Sequence, residues 1–202
     1  MRKLTAVQST LQSFASDDVT RYHLNHIGVQ NGRLYSTDGH RMISHRFENS
    51  KQDIVADMDI FIRDYKISEL ADVGKYPNCA TITPRIDDKF TYITWTPPAW
   101  LGELKKTRRN KPALVSINKD CLMLGSNKDS LVTFNAYLIS EIVKHYGDGI
   151  LHVYIRDNLS PIAITGEALN GRQLVDLEWF TVVMPVRSGI GSGVELVSQW
   201  EK

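Results

Sequence analysis

Residues 21–42 read RYHLNHIGVQNGRLYSTDGHRM. Two strand-like runs, residues 22–29 and 33–47, flank Gln30-Asn31-Gly32. Asn-Gly is the strongest short hairpin signal, because both central positions of the tight turn need positive φ and these two residues tolerate it. Upstream, Leu4, Val7, Leu11 and Phe14 recur at steps of three and four. That spacing predicts a helix with one buried face, ending near Ser16-Asp17-Asp18. A helix is thus followed by antiparallel strands.

The same order recurs downstream. Residues 59–63 (DIFIR) read as a strand, and residues 65–73 as a short helix with Ile67, Leu70 and Val73 inward. Residues 80–86 and 89–95 read as a hairpin turned by Asp87-Asp88. Pro97-Pro98 breaks any strand ladder and marks a domain boundary. Beyond it, residues 99–109 suit a short helix, and residues 113–117 and 121–125 a strand pair around Asn118-Lys119-Asp120. A brief strand at 132–134 leads into a helix over 136–146, whose face carries Leu138, Ile139, Ile142 and Val143 and which stops at Gly147-Asp148-Gly149. Residues 150–156, 162–165 and 178–185 complete a sheet, with Gly166 opening the loop between the last two. The class is α+β, with four helix-plus-strand units in two domains.

Composition narrows the function classes. The 202 residues allow one large domain or two of about 100. Lysine plus arginine exceeds aspartate plus glutamate by 24 to 23, so any attraction to nucleic acid must come from local clusters. Cys79 and Cys121 are far apart in strand-like contexts, which points to buried free thiols and a reducing compartment. Residues 1–14 are interrupted by Thr5, Gln8, Ser9, Thr10 and Gln12 and hold no signal-peptide core. No run approaches the roughly 20 apolar residues of a membrane span, so a cytoplasmic protein is expected.

Nothing in the sequence suggests catalysis, a cofactor or a metal. His23, His26, Asp38 and His40 are the one candidate metal set, but His23 and His26 are three apart and would point to opposite faces of a strand. A Gly-rich phosphate loop, a nucleophile elbow and paired Cys-x-x-Cys motifs are all missing. The chain is expected not to be an enzyme.

Arg21-Tyr22-His23-Leu24-Asn25 followed by Thr37-Asp38-Gly39-His40-Arg41-Met42 resembles the middle domain of bacterial DNA sliding clamps, where the pattern is RYYLNG, a hairpin and ATDGHRL. Phe134-Asn135-Ala136-Tyr137-Leu138, Ser160-Pro161-Ile162 and Val182-Val183-Met184-Pro185-Val186-Arg187 resemble the last domain of the same family, in the same order. The resemblance is to domains two and three of the polymerase III beta subunit, the processivity clamp. It implies the DNA clamp fold, with sheets outside and helices inside. Residues 1–97 would form one domain, 98–187 the next, and 188–202 a C-terminal extension. The resemblance does not extend to the family's first domain, and the expectation it implies is that three copies of a two-domain chain could supply the six domains of a ring.

The resemblance also implies two sites. The family's pocket for partner peptides maps to Leu24, Thr37, Gly39, His40, Arg41, Met42, Val182, Val183, Met184, Pro185, Val186 and Arg187. Its apolar members suit leucine or phenylalanine anchors, and Arg41, His40 and Arg187 suit polar groups of an extended peptide. Without the resemblance, residues 37–39 are merely a turn and 182–186 a core strand ended by proline. Sequence-independent contact with double-stranded DNA maps to Lys3, Tyr22, His23, Lys66, Lys105, Lys106, Arg108, Arg109 and Lys144, with Arg2 beside them. Tyr22 and His23 stand where the family has a Tyr-Tyr pair, and the run KKTRRNK is also what a solvated loop looks like. Two functional readings follow: a clamp, possible as a trimeric ring, that tethers replication or repair proteins to DNA, or a non-ring relative that binds the same peptides as an adaptor or decoy.

Overall fold

The computed structural model describes residues 5–47, 54–57, 76–103, 114–117, 122–124, 132–147 and 149–185. Helix α1 (Ala6–Phe14) starts at a reciprocal cap: Gln8 N–H donates to Thr5 Oγ1 at 3.2 Å, and Thr5 N–H donates to Gln8 Oε1 at 2.9 Å. Nine residues are too few for a helix to persist alone, so its stability comes from burying Leu11 and Phe14 completely.

The chain then departs from the expected strand over 22–29. Val19–Asn25 is a 3-10 segment kinked at Arg21 (φ −116°, ψ 45°), and strand β1 begins only at His26 (His26–Gln30). Asp18 explains the difference: its Oδ1 accepts from Thr20 N–H at 2.9 Å and its carbonyl accepts from Arg21 N–H at 3.0 Å, which closes a turn where alternation alone suggests extension. The hairpin follows as expected. Strand β2 (Arg33–Thr37) pairs with β1 through Gly28↔Tyr35 and Gln30↔Arg33, and Asn31 and Gly32 take φ of 50° and 70°. The run 33–47 is not one strand: β3 (Arg41–Arg46) folds back on β2 with Thr37 opposite Met42, around Asp38-Gly39-His40. Strand β4 (Ile54–Asp57) pairs with the other edge of β1.

The expected strand at 59–63 and helix at 65–73 lie outside the described residues. Residues 80–86 were expected to be a strand but begin inside helix α2 (Cys79–Ile82) and leave it without pairing. Asn78 caps that helix by accepting from Thr81 N–H at 3.1 Å. Asp87 does make a turn, accepting from Lys89 and Phe90 N–H, but among the described residues β5 (Thr91–Trp95) has no partner before it and pairs instead with β9 (Leu151–Ile155).

Helix α3 (Ala99–Glu103) occupies the first part of the expected 99–109 helix; residues 104–113 are outside the described set. Strands β6 (Leu114–Ile117) and β7 (Leu122–Leu124) form the expected pair, and β8 (Val132–Asn135) joins the free edge of β6. Helix α4 (Ala136–Tyr146) matches its expected bounds. Asn135 accepts from Tyr137 N–H at 3.0 Å at its start, Gly147 ends it at φ 74°, and Ile139, Ile142 and Val143 are buried. Strand β10 (Ile162–Thr165) pairs with β9, and β11 (Trp179–Val183) follows a second 3-10 turn, Leu174–Asp176.

Two compact units result: Met1–Arg85 with Leu169–Val182, and Ile86–Ala168 with Val183–Lys202. This departs from a single cut at Pro97-Pro98, for two reasons. Strand β5 needs β9, which draws residues after 85 into the second unit, and the carbonyls of Val175, Leu177 and Glu178 accept from Arg33 of the first. The first unit holds the strand order β4-β1-β2-β3-β11; the second holds β10-β9-β5 and a separate sheet β7-β6-β8. The first core is built on Leu11, Phe14, Ile27, Val29, Leu34 and Ile43, all fully buried, each worth about 1.5–3 kcal/mol on the usual transfer scale. The class is α+β. Among the described residues no helix is long and apolar enough to cross a membrane. Cys79 is a buried free thiol, and Cys121 lies outside the described residues.

Candidate functional site

The turn between β2 and β3 is held by its own side chains. Asp38 Oδ1 accepts from His40 N–H at 2.8 Å and Arg41 N–H at 3.0 Å, while Thr37 Oγ1 donates to Arg41 O at 2.7 Å and accepts from Gly39 N–H at 3.0 Å. Gly39 has φ of 87°, and a Cβ there would lie 2.9 Å from Arg21 Nη1 and 3.5 Å from Leu24 Cδ1. The 3-10 segment therefore lies directly under the turn. Arg21 joins the two by donating to Asp38 O at 3.3 Å while its Nε pairs with Asp18 at 3.3 Å. Hydrogen bonds from Thr20, and then Arg21, hold the Asp18 carboxyl below its usual range. Sequence reasoning passed over Arg21, whose one signal was its place at the head of the Arg21–Asn25 motif.

Arg41 is committed to the fold. It is 9% exposed, pairs with Asp38 Oδ2 at 3.1 Å, donates to Ser13 O at 2.9 Å and covers the Phe14 ring at 4.5 Å. It fixes the turn to α1. Leu24 and Met42 are 4% and 3% exposed and Thr37 is also buried, so these side chains support the turn from within. Gly39 and His40 are exposed. What the turn presents outward is a stiff backbone and one imidazole.

In β11, which lies beside β3, Val182 and Val183 are buried; beyond them Met184 is 39% exposed and Pro185 half-buried. Val186 and Arg187 are outside the described residues. Leu24, Thr37, Gly39, Arg41 and Met42 are thus gathered in the first unit together with Val182, while Val183, Met184 and Pro185 belong to the second.

Most of the basic candidates, Arg2, Lys3, Lys66, Lys105, Lys106, Arg108 and Arg109, lie outside the described residues. Tyr22 and His23 sit in the 3-10 segment, so the argument that His23 and His26 point to opposite faces of one strand does not apply. Lys144, in the last turn of α4, pairs with Glu141 at 2.6 Å. Among the described residues no group of three or more His, Cys, Asp or Glu side chains is placed to hold a metal ion.

No protein-family model matches the sequence, and no curated protein matches it significantly. Solved structures do match in fold. A sliding clamp (DNA polymerase III subunit beta) from Bartonella birtlesii, bound to griselimycin, superposes with TM-score 0.61 at 16% identity, covering 92% of this chain and 65% of that one. The sliding clamp of Bacillus subtilis gives 0.60 at 15% identity over 94% and 67%. The pol III beta of Caulobacter crescentus gives 0.64 at 14% identity over 91% and 64%. The chain spans about two thirds of the length of these structures. The described elements and these superpositions together give the chain the fold of the bacterial DNA polymerase III beta sliding clamps.

Proposed function

We propose that this chain is a sliding-clamp-type binding protein that tethers replication or repair proteins to double-stranded DNA through short peptide motifs, and that it has no catalytic activity. The observation that carries the reading is the Thr37–Met42 turn, locked by Asp38 and Arg41 over Leu24, within a fold that matches sliding clamps over nine tenths of the chain. A preformed turn lowers the ordering cost of capturing an extended peptide. The exposed Met184 supplies a polarizable apolar surface suited to leucine or phenylalanine anchors. DNA contact falls to the basic candidates, through phosphates and without base reading. Three copies would supply the six domains of a ring.

The test combines peptide binding with topology. Fluorescence polarisation with a labelled clamp-binding peptide of a replicative polymerase should show saturable binding that weakens in Met184→Ala. The protein should stay on closed circular DNA, be lost when the DNA is cut, and sediment as a trimer. No peptide binding would sink the proposal. Binding by a monomer that never stays on circles would leave the adaptor reading.

A further inference from the structure

At the far end of β3 from the turn, His45 meets the start of β11. Its Nε2 lies 3.1 Å from Glu178 Oε1, and its ring stands edge-on to Trp179 with centroids 4.2 Å apart. Its side chain is 14% exposed and that of Glu178 65%. Nδ1 is buried and has no hydrogen-bond partner among the described residues. With Nε2–H donated to the carboxylate, Nδ1 is a bare lone pair in the neutral ring, which is cheap to bury. A second proton must go onto Nδ1, which meets no acceptor in hydrogen-bond geometry among the described residues, and a buried donor so placed loses hydration that is not replaced.

We propose that His45 is a proton-operated latch on Trp179: neutral, it packs against the indole, and protonated, it swings toward solvent beside the exposed Glu178 carboxylate and releases the indole edge. Among the described residues the charged groups facing His45 are Glu178, which favours the cation, and Arg33 on β2, which opposes it; the Arg46 backbone favours the cation least of all these influences. Burial comes first among these influences and, with Arg33, outweighs the carboxylate, so the ring titrates below its ordinary 6.5.

The motion is confined to the two side chains. Leu169, Leu174 and Leu177 are 5%, 1% and 0% exposed, and Arg33 holds the carbonyls of Val175, Leu177 and Glu178. One proton is too small a lever to lift that segment, but it can turn a ring at the surface. The latch would loosen the first residue of the strand that leads to Met184.

The experiment is a pH titration of the 15N-labelled full chain from about pH 8 to about pH 5, across the histidine range. The Trp179 indole N–H is assigned by its loss in Trp179→Phe. The indole and His45 ring resonances should move with one shared midpoint below 6.5. His45→Gln should abolish the indole movement, and Glu178→Gln should lower the midpoint because the favourable carboxylate is gone. An indole signal that stays still while His45 titrates, or that moves equally in His45→Gln, overturns the proposal. Should His45→Gln not fold, the surface change Glu178→Gln decides alone, and an unmoved midpoint is then fatal.

Discussion

The guanidinium of Arg33, in the middle of the first unit's sheet, donates to the main-chain oxygen of Leu177 at 2.8 Å, across 144 positions of sequence. The same group donates to Val175 O, Glu178 O and Ser44 Oγ and lies 4.8 Å over the Phe180 ring, while Arg33 itself is 3% exposed. One buried cation therefore fastens residues 175–180 to the sheet.

Replacing it with an apolar side chain strands several buried acceptors at once. Arg33→Met is expected to cost about 3 kcal/mol or more, since each unsatisfied buried group costs about 1–3 kcal/mol. Arg33→Lys should recover only part, because one ammonium cannot span the same set of oxygens. Urea unfolding of both variants measures this. A loss under about 1 kcal/mol for Arg33→Met would contradict the role.

Gly28 lies against the Tyr76 ring: a Cβ there would sit 2.5 Å from Cε1, and Tyr76 is held by its hydroxyl donating to Tyr35 O at 2.9 Å. Gly28→Ala is expected to destabilise by about 1–3 kcal/mol through overpacking. Combined with Tyr76→Leu, the alanine should cost much less than it does alone, a non-additivity that thermal unfolding of the four-member cycle would reveal.

Gly39 combines φ of 87° with Arg21 Nη1 at 2.9 Å from its missing Cβ. Gly39→Ala should leave the unit folded, at a cost of about 1 kcal/mol, while distorting the turn. On the proposed function, peptide affinity then falls at least about tenfold, equal to about 1.4 kcal/mol. Unchanged affinity in a folded variant would exclude the turn from the site.

Burial pushes the Cys79 thiol up to about 12. In a Cys121→Ser background, the native protein should react with a thiol reagent only at the rate of unfolding, and quickly once in urea. The linkage has a defined sign: the unfolded thiol ionises near 9 and the folded one near 12, so its stabilising contribution is intact below pH 9 and declines as pH rises from there toward 12. A Cys79→Ala variant should lose stability less steeply over that alkaline range.

Local chemistry determined much of this protein. Asn31-Gly32 forced a hairpin because its φ values suit few other residues, and α4 was legible because Asn135, an apolar stripe and Gly147 all act within a few positions of one another. The likeness of residues 21–42 and 182–187 to a known family pointed to the fold that the superpositions bear out. Tertiary structure decided what depends on distant partners. Strand β5 took β9 where a neighbour was expected, because residues 79–82 coiled under an Asn78 cap with Cys79 inward. Nothing local in the sequence marks Arg33 and Arg41 for burial, yet both are buried, since only the folded chain brings them carbonyls, an aromatic face and, for Arg41, the Asp38 carboxylate. Backbone turns and helix caps are written within about four residues, whereas the burial of a charge is affordable only where remote groups converge to replace its water.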